Sequence, residues 1–160
     1  HNQMGETFVI PQDKIQEDTK LVPGTDGNKM SKSRGNIINM FLREKQLKKQ
    51  LNGIVTDSHP LEEPKDPDTC NAFAIYKLIA NDEETAKMRE NYVNGGWGYG
   101  HTKKAILDMI LDKFAEPREK FNFYMENPSE LDKVLAEGAA KAKVTADDVL
   151  RRVRGRLGLK

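Results

Sequence analysis

Lys29 and Lys32 stand three residues apart in the stretch PGTDGNKMSKSRGN, separated by Met30 and Ser31 and followed by Ser33. Pro23, Gly24, Gly27 and Gly35 interrupt regular structure on both sides of them. The pattern predicts a mobile loop that carries two ammonium groups. A nucleoside triphosphate is a polyanion. Two such groups can sit on its β and γ phosphates as point charges, without the fixed fork of arginine. Each contact is worth up to ~4 kcal/mol at about 4 Å and an effective dielectric near 20, and less where water enters. Ser31 and Ser33 can add hydroxyl donors. A charge that builds up as pyrophosphate departs would be stabilised most by a loop that closes over the nucleotide in the transition state. The bland alternative is a surface loop with ordinary lysines. The pentapeptide Lys29–Ser33 argues against it: average residue usage gives a chance match on the order of once in 10⁴ chains of this length.

Other candidate sites are weaker. The run GGWGYGH over residues 95–101 places glycines before a helix but lacks the Gly-Lys-Ser/Thr ending of a phosphate-binding P-loop. It reads as a structural turn, with Trp97 and Tyr99 as packing residues. His1, His59, His101 and Cys70 show no metal-ligand spacing. Asp57-Ser58-His59 is contiguous, the wrong geometry for a catalytic triad.

Elements must position the loop. Phe8–Ile10, ahead of Pro11, reads as a short buried strand or strand end, and Leu21-Val22 as a second short strand running into the loop. Asn36 reads as the cap of a helix that runs to about Gln50, and its first backbone N–H groups would add positive potential to the loop. Residues 53–66 form an irregular connector. Asp66-Pro67 opens a helix with the apolar body 72–79. Asn81 with Glu84 forms a capping box for a helix from 82 to about 93. After the glycine turn comes a long helix with an apolar stripe through Ile106, Met109 and Ile110, which Pro117 kinks or restarts. Asn127 with Glu130 and Thr145 with Asp148 are further capping boxes opening two last helices, and Gly158 is a stop. The fold class is therefore mostly α. A helical bundle of about six helices follows the end of an α/β domain. A lone strand leaves its backbone groups unpartnered, so residues 1–28 are expected to be partly disordered.

The chain has 160 residues with a net charge of only +1, 37% hydrophobic and 32% charged residues. This describes a soluble, surface-rich protein and excludes a polycation. The charge is uneven. Residues 141–160 hold seven basic against two acidic side chains, and Arg43–Lys49 four against one. Such segments can track a phosphate backbone, or simply form solvated helix faces. No apolar run reaches the ~18 residues that span a membrane. A single cysteine, Cys70, cannot form an internal disulfide and suits a reducing, cytoplasmic setting. The chain begins at His1, which suggests a piece of a longer protein.

DGNKMSKSRGN resembles the KMSKS signature loop and helix entry of class I aminoacyl-tRNA synthetases. With GETFVIP, IVTDSHPLEEPKDPDTCNAFAIYKLI, GGWGYGHTKKAILDMI and the tail LAEGAAKAKVTADDVLRRVRGRLGL, nearly the whole chain resembles the C-terminal half of bacterial tryptophanyl-tRNA synthetases. The resemblance implies that residues 1–35 are the end of a Rossmann-like catalytic domain and 36–160 a helical domain for the tRNA anticodon region. It implies an enzyme that joins tryptophan to ATP, releases pyrophosphate and charges tRNA(Trp). Lys29, Met30, Ser31, Lys32 and Ser33 would bind the ATP phosphates, with Mg2+ held through those phosphates. Lys29 and Lys32 would be catalytic, Lys32 above all. Backbone at Leu21 and Val22 would contact adenine. The family's HIGH-type motif and tryptophan pocket have no counterpart here, so this chain by itself is expected not to activate tryptophan. The parent would be a homodimer through its catalytic half, and this chain a monomer. A tyrosine-specific synthetase and a non-catalytic RNA-binding module with a vestigial loop are the alternatives.

Overall fold

The computed structural model describes Gly5, residues 7–15 and residues 21–159. The expectation of partial disorder over 1–28 falls partly on residues outside this set. Of the rest, residues 21–28 form a hydrogen-bonded loop.

Among the described residues there are six α-helices and no strand: α1 Glu44–Asn52, α2 Asn71–Lys77, α3 Asp82–Asn94, α4 Tyr99–Lys113, α5 Ala115–Glu126 and α6 Pro128–Leu157. The mostly α fold class is as expected from the sequence. The two short strands are not. Phe8, Val9 and Ile10 are exposed and unpaired to any strand, and at Leu21-Val22 the chain makes only an isolated antiparallel bridge between Pro23 and Lys29. A strand needs a neighbour for its ladder, and none is at hand among the described residues.

The chain forms two compact units, residues 15–121 and residues 1–14 with 122–160. In the first, α4 packs on α1 and α2. The core is Leu47, Leu51, Ile54, Phe73, Ile75, Tyr76, Met88, Tyr92, Ile106 and Ile110. These positions recur at helical spacing within each helix, so each presents one apolar face inward. Polar side chains fix the register. The fully buried Thr102 hydroxyl meets the Tyr92 hydroxyl at 2.9 Å and accepts the Trp97 indole N–H at 3.0 Å. Lys103 donates to the carbonyls of Asn52 (3.0 Å) and Ile54 (2.7 Å), closing the C-terminal end of α1. Lys65, nearly fully buried, donates to the carbonyls of Pro60, Leu61 and Glu63 and so gathers the irregular connector around one ammonium.

Local signals read correctly where they stayed local. Asn81 and Glu84 form the capping box of α3, with both bonds at 2.8 Å. Gly95 and Gly96 take positive φ in the turn before α4. Pro117 lies in the first turn of a restarted helix, and Gly158 ends α6 with φ 71°.

Four expectations fail. No helix starts at Asn36; residues 36–43 are irregular and α1 begins at Glu44. Arg118 accounts for part of this by donating to the carbonyls of Met40 and Leu42. Asp66 caps a turn, through Asp68 N–H and the Thr69 hydroxyl, and α2 starts only at Asn71. Asn127 does not cap α6 with its side chain, which donates instead to the Phe123 carbonyl at 2.8 Å. Thr145 opens no helix, because α6 runs unbroken for 30 residues. No glycine or proline lies between Lys141 and Asp148, and the Lys143–Asp147 ion pair (2.8 Å) spans the expected break.

Candidate nucleotide-phosphate loop

Residues 22–36 fold back on themselves around one side chain. Met30 N–H donates to Val22 C=O at 2.8 Å, beside the Pro23–Lys29 bridge. Between these strands of loop, Gly24 N–H reaches Asn28 C=O at 2.7 Å, and Gly27 makes the reversal with φ +80°. Asp26 braces it by accepting from Asn28 N–H and the Asn28 amide.

Asn36 is the hub. It is only 3% exposed. Its amide donates to Asp26 Oδ1 at 2.7 Å and to Lys29 C=O at 3.1 Å, and its Oδ1 accepts Ser31 N–H at 2.7 Å. A side chain on Gly24 would run into this amide, so glycine is required there for space. The Asn36 hydrogen bond, together with those from Asn28, holds the Asp26 carboxyl below the usual carboxylate range.

The loop is fastened to the helices. The Asn71 amide, in the first turn of α2, donates to the carbonyls of Gly24 (3.1 Å) and Thr25 (3.3 Å). Val55 N–H donates to Thr25 C=O at 2.8 Å.

What this frame presents is a single 3-10 turn, Lys32–Arg34, closed by Gly35 at φ 68°. The Ser31 and Ser33 hydroxyls bond to each other at 2.8 Å. Lys29 and Lys32 are exposed, and neither ammonium has a partner among the described residues. Asp26, the acidic side chain of this loop, is spent on Asn36 and Asn28 and forms no ion pair with either lysine.

The sequence-predicted residues thus lie together, with differing parts to play. Lys29, Lys32 and Ser33 are exposed and Ser31 is half-buried, the two hydroxyls bonded to each other. Met30 and Val22 spend one backbone group each on the other, and Val22 N–H has no partner among the described residues. Positive potential from a helix at Asn36 is absent, since that helix does not exist. Asn36, Asp26 and Asn71 were missed as site residues. Asp26-Gly27 is a turn signal that could have flagged the first part. Nothing in the sequence ties Asn71 to a carbonyl 47 residues earlier.

Residues 2–115 match the family model of the tRNA synthetases class I (W and Y). The chain belongs to this family. This synthetase chain is 42% identical over 159 residues to the tryptophan–tRNA ligase of Campylobacter jejuni, covering 99% of this chain and 50% of that protein. It is 44% identical over 163 residues to that of Rhodopirellula baltica, again half of the relative. The crystal structure of the Campylobacter jejuni tryptophanyl-tRNA synthetase complexed with ADP and tryptophan superposes with a TM-score of 0.83, over 99% of this chain and 50% of that one. The chain therefore spans about half the length of the curated relatives it matches. Among the described residues no helix is long and apolar enough to cross a membrane, and no cluster of His, Cys, Asp or Glu could hold a metal ion.

Proposed function

We propose that this chain supplies the ATP-phosphate loop and the tRNA-binding helices of a tryptophan–tRNA ligase, with residues 1–35 ending the catalytic domain and 36–160 forming the helical one. The observation that carries the reading is the pair of ammonium groups, Lys29 and Lys32, unpartnered among the described residues, on a loop locked by the buried Asn36. In the parent enzyme, tryptophan would be joined to ATP with release of pyrophosphate and then passed to tRNA(Trp). Lys32 and Lys29 would meet the negative charge that accumulates on the departing pyrophosphate, with Ser31 and Ser33 exchanging their mutual hydrogen bond for phosphate oxygens. Mg2+ would arrive bound through the phosphates. Val22 N–H is the group available to adenine. The names of the relatives favour tryptophan over tyrosine. The parent is proposed to be cytoplasmic and homodimeric.

The test is titration of the 160-residue chain with tripolyphosphate, followed by calorimetry. Lys32→Ala and Lys29→Ala should each weaken binding about tenfold and the double variant more. Equal affinity of the double variant and the native chain would remove the loop from the phosphate site.

A further inference from the structure

Residues 52–57 leave the end of α1 with little packing to hold them. Only Ile54 among them is buried; the Val55 side chain is 58% exposed, and Asn52, Gly53 and Asp57 are exposed. Yet this segment carries the lysine loop. Val55 N–H donates to Thr25 C=O at 2.8 Å, and Thr25 N–H donates to Asn36 C=O at 2.9 Å, at the hub itself. The place of the loop therefore depends on what holds residues 52–57.

Two side chains one turn apart on α4 hold them. On one side of Val55, Lys103 donates to the carbonyls of Asn52 at 3.0 Å and Ile54 at 2.7 Å. On the other side, the Tyr99 hydroxyl donates to Asp57 Oδ1. Residues four apart share a face of a helix, so α4 grips the segment at both ends and leaves Val55 between them. Asp57 Oδ1 also accepts His59 N–H at 3.1 Å and lies 2.9 Å from His59 Nδ1.

The grip is anchored in the core. The Tyr99 ring stands edge-on to the fully buried Tyr92 ring, with centroids 6.1 Å apart and planes inclined by 64°. The Lys65 ammonium, itself fixed by three carbonyls, lies 5.6 Å from the Tyr99 centroid. A phenol packed in this way offers its hydroxyl at a fixed point. Burial, and then the Asp57 carboxylate, push the Tyr99 hydroxyl above the ordinary phenol range, so it keeps its proton and remains the donor.

We propose that Tyr99 and Lys103 are positioning residues for the nucleotide-phosphate loop, setting its place through residues 52–57 and Thr25 without touching a ligand. The inference rests on the phosphate-loop reading given above and adds to it the helix that seats the loop. Asn71 secures the same Thr25 carbonyl from α2 at 3.3 Å, so the two lysines ride on α2 and α4 together. Cations that must meet a developing charge act best when their place is fixed beforehand.

Hydrogen exchange on the 160-residue chain tests this. Tyr99→Phe keeps the ring and deletes the donor. Exchange at Val55 and Thr25 N–H should rise about tenfold, and at Met30 and Ser31 severalfold, while amides of α3 keep their protection. Asp57→Ala should do the same. Asp57→Asn retains an acceptor and should recover most of the native protection. The double variant of Tyr99→Phe with Asp57→Ala should be no worse than either single one, because both remove one bond. Lys103→Met keeps the apolar stem, removes the ammonium and should open the same amides from the other end. Loop exchange equal to the native rate in both Tyr99→Phe and Lys103→Met would overturn the proposal. So would a rise shared equally by α3, or Asp57→Asn behaving like Asp57→Ala. Tripolyphosphate separates this proposal from the reading beneath it. Bound to the loop, it should slow exchange at Met30 and Ser31 in Tyr99→Phe. Selective opening in Tyr99→Phe with no slowing by tripolyphosphate in either chain would remove the phosphate reading and keep the positioning. Slowing by tripolyphosphate with no effect of Tyr99→Phe would do the reverse.

Discussion

Replacing Asn36 by alanine should unfasten the lysine loop while leaving the helical core intact. The side chain makes three hydrogen bonds, to Ser31 N–H, Lys29 C=O and Asp26 Oδ1, and is 3% exposed. Each is worth roughly 0.5–1.5 kcal/mol net, and a buried backbone group left unsatisfied costs about 1–3 kcal/mol. The change should therefore cost about 2–4 kcal/mol in the local opening of residues 24–36. At 1.4 kcal/mol per decade that is a factor of roughly 30 to 1,000 in the opening equilibrium. None of Leu47, Phe73, Tyr92 or Ile106 touches this hub through a hydrogen bond, so the melting temperature of the core should move little. Native-state hydrogen exchange is the assay. Ser31 and Met30 N–H should exchange faster by that factor, while amides in α4 keep their protection. Asn36→Asp sharpens the test. It retains the acceptor for Ser31 but sets a second carboxylate at 2.7 Å from Asp26. Its loop should open at neutral pH and recover as pH falls and one of the two carboxyls takes a proton. The native chain behaves in the opposite sense. Its Asp26 is held below the ordinary value of 3.8, so the stabilisation is full above that value and is lost as pH falls through the lowered one. Unchanged exchange at Ser31 in Asn36→Ala would refute the hub.

Three further outcomes follow from the packing. Thr102→Val keeps the volume but strands the Trp97 N–H and leaves the Tyr92 hydroxyl only Cys70 Sγ at 3.5 Å; it should cost about 2 kcal/mol and lower the melting temperature by roughly 4–8 °C. Asn81→Ala removes half of the capping box of α3 and should cost about 1 kcal/mol by denaturant titration, with no effect on phosphate binding. Thr145→Pro should break α6 within its length, at about 3 kcal/mol or more, and reduce helicity by circular dichroism; a spectrum equal to the native one would mean that a helix boundary already lies at 145, as its sequence signal suggests.

The contrast between Asn81 and Asn36 shows where the sequence is self-sufficient. Both precede a stretch of apolar helical spacing, and both read as caps. Asn81 has Glu84 three residues on, and each satisfies the other's backbone, so the outcome is decided within four residues. The lysine pentapeptide, the glycine turn at 95–98 and the apolar faces of α3 and α4 are legible for the same reason: spacing and turn chemistry act over one or two turns of chain. Asn36 is claimed instead by a carboxylate ten residues back and a loop that curls around it, which leaves nothing for a helix start. Asn71 and Lys103 likewise serve carbonyls 46 to 51 residues away, and Thr102 collects Tyr92 and Trp97 from different turns of the fold. The sequence by itself determined that two lysines would stand exposed on a glycine-framed loop and that helices would follow. Only the tertiary structure decided what holds those lysines in place, because a buried polar side chain takes whichever partners packing brings within about 3 Å, and proximity in space carries no mark in the order of residues.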